Sequence, residues 1–266
     1  MSRYFTSDWH INSTNILRYA NRPYKSWQSA ATSLIGQCNA VASKDDCVFH
    51  VGDLIMLSND RHDAIEDVLD ANAYKLKDIK QRIAANFIAV AGNHDDGHSF
   101  EADCKSITLN LNQNYWNVSV SHYPSTHECY RHVGNGNRRS CSNGIHIHLC
   151  GHVHEKWLLN FDARHKVLNV NVGVDVWDFK PVRDAEITDL LDYFRANLWT
   201  KIANDGSHWS DFVLTRKAFD EFKHAHSAEV RAQREARKAE KLAKKGLTPA
   251  DCERRKIEAM KKKGLL

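Results

Sequence analysis

Five short motifs constrain this chain more than any other feature. They are Asp8-Trp9-His10, Gly52-Asp53, Gly92-Asn93-His94-Asp95, Ser121-His122 and Gly151-His152-Val153-His154. Each closes a run rich in β-branched or aromatic residues, and such runs read as strands. Every motif therefore sets a potential metal-binding side chain at a strand end. A fold that uses all five must align several strands and gather their ends.

The segments between the motifs agree with this. Strands are expected at 3–7, 47–51, 86–91, 115–121, 145–150 and 167–174. Between the early strands, Trp27, Ala30, Ala31, Leu34, Ile35 and Cys38 recur at helical steps within 24–41. Further helices are expected over about 60–71 and 74–84. Alternation of strands and helices in the first half suggests α/β layering. The strand-rich second half suggests a second sheet packed on the first.

With 266 residues, 42% of them hydrophobic, the chain can bury a full core. No apolar run approaches the roughly 20 residues that span a bilayer, and the first residues read as a strand, not a signal peptide. Cytoplasmic residence is the default expectation. The seven cysteines are odd in number and contain no C-x-x-C pair, which argues against a disulfide framework or a zinc knuckle. Sixteen histidines are many for this length and agree with metal binding.

The net charge of +4 hides an asymmetry. Residues 216–266 carry 16 Lys/Arg against 8 Asp/Glu, or +8; residues 1–215 carry 21 against 25, or −4. Segment 228–245 is rich in Ala, Glu, Lys and Arg, strong helix formers. Gly246 suits a C-cap, and Thr248-Pro249 suits a new helix start. Two domains are expected: a catalytic domain over 1–215 and a basic helical extension over 216–266. A polar loop at 127–144, with Arg131, Arg138 and Arg139, reads equally as a substrate-binding loop or a surface excursion.

The motif residues suit phosphate ester hydrolysis. That reaction needs an activated nucleophile and neutralisation of charge at phosphorus, which two divalent metals about 3.5–4 Å apart supply together. Such a centre takes carboxylates and neutral imidazoles. Asp8 and His10 stand two apart on what reads as an extended segment, so both would face one side. His152 and His154 repeat the spacing. His146 and His148 share a strand face and read first as packed or exposed strand residues, His50 reads as structural, and Arg22 reads as a surface ion-pair partner in preference to a phosphate contact.

These motifs resemble those of the calcineurin-like metallophosphoesterase superfamily, which run D-x-H, G-D, G-N-H-[DE], H and G-H-x-H. The flanking stretches Asn21-Arg22-Pro23-Tyr24 and 171–181 look like small bacterial and phage-type phosphoesterases. The resemblance covers about residues 3–190. It implies an α/β (α+β) fold of two packed mixed β-sheets, a β-sandwich flanked by helices. It also implies ligand roles. Asp8, His10 and His154 would hold one metal, Asn93, His122 and His152 the other, and Asp53 would bridge them. His94 would serve as general acid or transition-state donor, oriented by Asp95, while a metal-bridging hydroxide attacks phosphorus.

The implied metals are two divalent ions, manganese first, with iron, zinc, nickel or cobalt as alternatives. Relatives often continue D-x-H-F-G-H where this chain has Ser13 in place of the last histidine, which directs attention to substrate choice. Protein serine/threonine phosphatases carry G-D-x-x-D-R-G, absent here. The expected activity is a metal-dependent phosphodiesterase or phosphatase, with a nucleotide or nucleic-acid substrate favoured through the basic tail. Alternatives are a non-catalytic metal-binding scaffold and a nucleic-acid-binding protein of the same fold. No membrane partner is expected, the compartment would be the host cytoplasm if the chain is phage-encoded, and the oligomeric state is left open.

Overall fold

The computed structural model describes residues 1–56, 73–95, 102–111, 116–125, 145–197, 212–221 and 223–225. The expected helix at 60–71, the loop at 127–144 with His127 and His132, residue His98, and the tail helices beyond 228 lie outside them. The chain divides into two compact units, Met1–Thr215 and Arg216–Leu266. In the second, the described residues 216–221 and 223–225 are helical.

The first unit holds two mixed sheets flanked by helices. One consists of β1 (Arg3–Thr6), β2 (Cys47–Val51) and β3 (Asn86–Val90), with the short β9 (Val182–Arg183) at its edge; the order is β3-β2-β1-β9. The other contains β4 (Ile107–Leu111), β5 (Trp116–Val120), β6 (His146–Cys150), β7 (Leu159–Asp162), β8 (Val167–Asn171) and β10 (Phe212–Leu214), in the order β10-β7-β8-β6-β5-β4.

Strand direction explains how the motifs meet. In the first sheet β1, β2 and β3 run parallel; in the second β5, β6 and β8 do. Parallel neighbours release their following loops at the same edge, where open α/β sheets place ligands. Asp8 and His10 follow β1, Asp53 follows β2, and Asn93 and His94 follow β3. His122 follows β5, and His152 and His154 follow β6. A bridge between Ser7 and Gly173 joins the two sheets at this end, with Val174 N–H donating to Ser7 O at 3.2 Å.

The outer face of the first sheet is covered by α2 (Trp27–Val41) and α3 (Leu76–Lys80). Trp27, Ala31, Leu34, Ile35 and Cys38 of α2 pack with Val48, Phe87, Ala89 and Ile79. Helix α2 begins three residues later than its apolar pattern allows because Ser26 and Ser29 form a reciprocal capping box. Helix α3 is a single turn, much shorter than the expected 74–84. A second small cluster joins Ile16 and Leu17 of α1 (Asn15–Tyr19) to Ala30.

Helix α4 (Asp184–Asn197) buries Ile187, Leu190, Leu191 and Phe194, and Phe194 meets Phe161 of β7 at 5.9 Å between ring centroids. Each such side chain taken fully from water contributes about 1.5–3 kcal/mol. Among the described residues no helix is long and apolar enough to cross a membrane.

Candidate metal centre

The backbone at the motifs departs from the extended form expected for them. Asp8 has φ 60°, His10 49°, Asp53 55°, His152 71° and His154 48°. None of these residues lies in a strand; all five are in the left-handed region, which costs a non-glycine residue roughly 1–2 kcal/mol. Asp8 and His10 do share one side, but through tight turns and not through strand alternation. Trp9 between them is buried in the core and donates from its indole to Thr6 Oγ1 at 2.8 Å.

Hydrogen bonds across the loops hold this strained path. Asp8 N–H donates to Gly52 O at 3.1 Å and His10 N–H to Asp53 O at 3.0 Å. His152 N–H donates to both Asp8 carboxylate oxygens at 2.9 and 3.1 Å. The motif glycines permit the approach: a Cβ on Gly151 would fall on Ser7 Oγ and Asp8 Oδ2, and one on Gly92 would fall on Asp53. Strain of this kind concentrates at functional sites.

The side chains converge on Asp53. Its Oδ2 faces three imidazole Nε2 atoms: His122 at 3.1 Å, His10 at 3.6 Å and His94 at 3.9 Å. Its Oδ1 accepts from His94 N–H at 3.0 Å. His122 Nε2 also lies 3.0 Å from Asn93 Oδ1. Three groups bring donor atoms within 4.8 Å of one another: Asp8, His10 and His154; His10, Asp53 and His94; and Asp53, His122 and His152. All nine residues singled out in the motifs are thus at this end of the sheets. Asp8, His10, Asp53 and His122 form a buried floor. His94, His152 and His154 form a rim with Tyr123, which is 48% exposed and whose ring lies tilted against that of His152, centroids 4.6 Å apart.

His10 tests whether cations fit. It is 3% exposed, yet among the described residues neither ring nitrogen has a hydrogen-bond partner, a costly state for buried polar atoms. Its Nε2 instead points between Asp53 Oδ2 and Asp8 Oδ1, the latter 3.9 Å away. Two buried carboxylates lined with imidazole nitrogens form a set that a divalent cation satisfies.

Charges respond accordingly. Burial lowers the His10 pKa far below its ordinary value. Burial raises that of Asp8, against the pull of His122 and His154. For Asp53, burial acts upward, but His122, His10 and the His94 amide outweigh it and hold the carboxyl well below the usual range. Burial opposes charge on His122 too, yet Asp53 and Asp8 raise it to about 9.

Residues around these complete the site, and several escape the sequence reading. Arg22 is not at the surface. Its side chain is buried and forms a two-point ion pair with Asp175, Nε to Oδ1 and Nη2 to Oδ2, both at 2.8 Å. It also donates to Asp8 O at 2.6 Å and Trp9 O at 3.0 Å. Asp175 Oδ2 in turn accepts from His154 Nδ1 at 2.8 Å. On the other side, His122 Nδ1 donates to Val51 O at 3.0 Å. Each contact makes Nδ1 the donor and turns Nε2 toward the centre, where a cation would displace its proton.

Asp95 braces the loops. Its oxygens accept from Leu54 N–H at 3.0 Å, Ile55 N–H at 3.1 Å and Gly92 N–H at 2.9 Å, so it ties the Gly52-Asp53 turn to the turn carrying Asn93 and His94. Burial raises its pKa to about 6 despite these donors.

Buried amides on β8 grip the remaining loops. Asn171 Nδ2 donates to His154 O at 2.7 Å and Trp157 O at 2.8 Å. Asn169 Oδ1 accepts from Ser125 N–H at 2.8 Å. His148, placed beside Asn169 on β6, contacts Tyr123 O through Nε2 at 2.9 Å and Ser119 Oγ through Nδ1 at 2.6 Å. It supports the His122 loop and is not a ligand. Ser13 is 1% exposed, with Oγ accepting from Ile16 N–H.

The calcineurin-like phosphoesterase family model matches residues 1–119, the stretch that carries the first three motifs. Over those residues the chain is similar to the calcineurin-like phosphoesterases. The calcineurin-like match ends before His122, so the histidines after β5 and β6 join the centre through the geometry above. An uncharacterized protein, MJ1445 of Methanocaldococcus jannaschii, is 26% identical over 191 residues, 71% of this chain and 90% of that protein. Among solved structures, the protein of unknown function AQ665 from Aquifex aeolicus is 20% identical, covering 71% of this chain and 98% of its own, with a TM-score of 0.49.

Proposed function

We propose that the protein is a dinuclear-metal-dependent hydrolase of phosphate mono- or diesters. The observation that carries this reading is the convergence of three imidazole Nε2 atoms on one Asp53 oxygen, one of them from the buried His10, whose ring nitrogens have no hydrogen-bond partner among the described residues. Asp8, His10 and His154 would hold one cation, and Asn93, His122 and His152 the other, with Asp53 shared. Two divalent cations, manganese foremost, would neutralise phosphoryl oxygens and acidify water at neutral pH.

The protein's own groups do the rest. His94 stands on the rim with its Nε2 3.9 Å from Asp53 Oδ2, where it gives a proton to the leaving-group oxygen. Asp95 keeps His94 in place through the loop backbone. Burial keeps water from Asp8 and Asp53, which strengthens their attraction for cations.

A nucleotide or nucleic-acid substrate is favoured. The exposed Tyr123 ring beside His152 offers a face for base stacking, and residues 216–266 supply +8 of charge for a phosphate backbone. Purified protein with added Mn2+ is expected to hydrolyse bis-p-nitrophenyl phosphate or p-nitrophenyl phosphate. Absence of turnover on both, with every divalent metal tried, would reject the activity. Changing Lys261, Lys262 and Lys263 to Gln is expected to weaken DNA or RNA binding and flatten its salt dependence; unchanged binding rejects the tail's part.

A further inference from the structure

The two halves of the centre orient their histidines by different means. His154 Nδ1 meets a carboxylate, Asp175, that is itself locked by Arg22. His122 Nδ1 meets a neutral main-chain carbonyl, Val51 O. Arg22 does more than neutralise Asp175, because the same guanidinium holds the carbonyls of Asp8 and Trp9 at 2.6 and 3.0 Å. One buried ion pair, with side chains 0% and 3% exposed, thus reaches two ligands of one half: Asp8 through its backbone and His154 through its ring. Among the described contacts, the pair bonds directly to no residue of the Asp53, His122 and His152 group.

We infer that Arg22 and Asp175 are positioning residues that set the cation affinity of the Asp8, His10 and His154 half alone. The inference rests on the proposed metal centre. A carboxylate behind an imidazole fixes its ring and makes its free nitrogen a better donor, and losing such a partner typically costs 10–100-fold in metal affinity. The fork geometry of Arg22 matters because a lysine cannot span Asp175 and two carbonyls at once.

Calorimetric titration of the full chain with Mn2+ alone tests this. His154→Ala and His122→Ala assign the two halves by removing one binding step each. Asp175→Asn is expected to weaken the step that His154→Ala removes by about 10–100-fold and to leave the other within about twofold. Asp175→Glu is expected to restore part of the loss, and Arg22→Lys to weaken the same step by a smaller factor. Should Asp175→Asn not fold, Arg22→Lys and Asp175→Glu decide by the same selective criterion. Unchanged affinity, or equal loss at both steps, overturns the positioning role while two bound Mn2+ in the unaltered protein keep the metal-centre reading. No Mn2+ binding by the unaltered protein overturns both.

Discussion

The Asp8, His10 and His154 half and the Asp53, His122 and His152 half use the same side-chain chemistry on different supports. The first is backed by a buried ion pair and by the Asn171 amide. In the second, the groups behind His122 are neutral: Val51 O at its ring, and His148 and Asn169 at the loop that carries it; Asp95 braces only the backbone of the neighbouring turns. A charged support raises ligand basicity but depends on both partners being present, since a lone buried charge is expensive. A neutral support is weaker and more tolerant. Two otherwise similar ligand sets can thereby differ in how firmly they hold a cation.

The comparison can be broken most severely at Asp53, which faces both halves. Asp53→Asn is expected to remove Mn2+ binding from both and to lower kcat/KM by more than about 1,000-fold; loss confined to one half would deny Asp53 its shared place. His94→Ala is expected to lower kcat by roughly 100-fold or more with both Mn2+ retained, as measured by turnover and metal content on one sample. Unchanged kcat removes its role as acid.

The amides sharpen the contrast further. Asn171→Ala and Asn169→Ala each strand buried main-chain groups, at about 1–3 kcal/mol by chemical denaturation. The first should weaken Mn2+ binding at the His154 half and the second at the His122 half; crossed effects would mean that the loops are not independently supported.

His50 lies outside both halves and serves as a control. It is fully buried, neither ring nitrogen has a hydrogen-bond partner among the described residues, and burial lowers its pKa to about 3. Its ordinary value is 6.5, so between pH 6.5 and 3 the unfolded chain binds a proton that the folded protein refuses. Stability therefore falls as pH falls through that window, by about 2 kcal/mol at pH 5. His50→Leu should lessen the slope of apo-protein stability over this window, to which His146 and His148 also contribute, and leave Mn2+ affinity unchanged.

The sequence reading reaches the strands that hold continuous apolar runs, because central parallel strands are buried on both faces, as β2 and β8 are. It passes over β4 and β7, which alternate in burial. It also omits α4, although Ile187, Leu190, Leu191 and Phe194 carry helical spacing. The motif residues are legible because their order and spacing are unusual.

Their backbone is not legible: D-x-H and H-x-H suggest extended chain, whereas contacts from distant loops force left-handed turns. Arg22 and Asp175 stand 153 residues apart, and no local pattern announces such a pair. Asn169 and Asn171 offer a faint signal, polar residues inside an apolar strand, which marks a buried hydrogen-bonding duty.

The bonds from His152 N–H to Asp8 join residues 144 apart. Closing so long a loop carries a heavy entropy penalty unless most of the intervening chain is already ordered. On this ground the centre is expected to assemble late in folding, after both sheets have formed. Cations binding there would do little to hasten folding and much to slow unfolding, so the metal load would set the lifetime of the native state and not the speed of its birth.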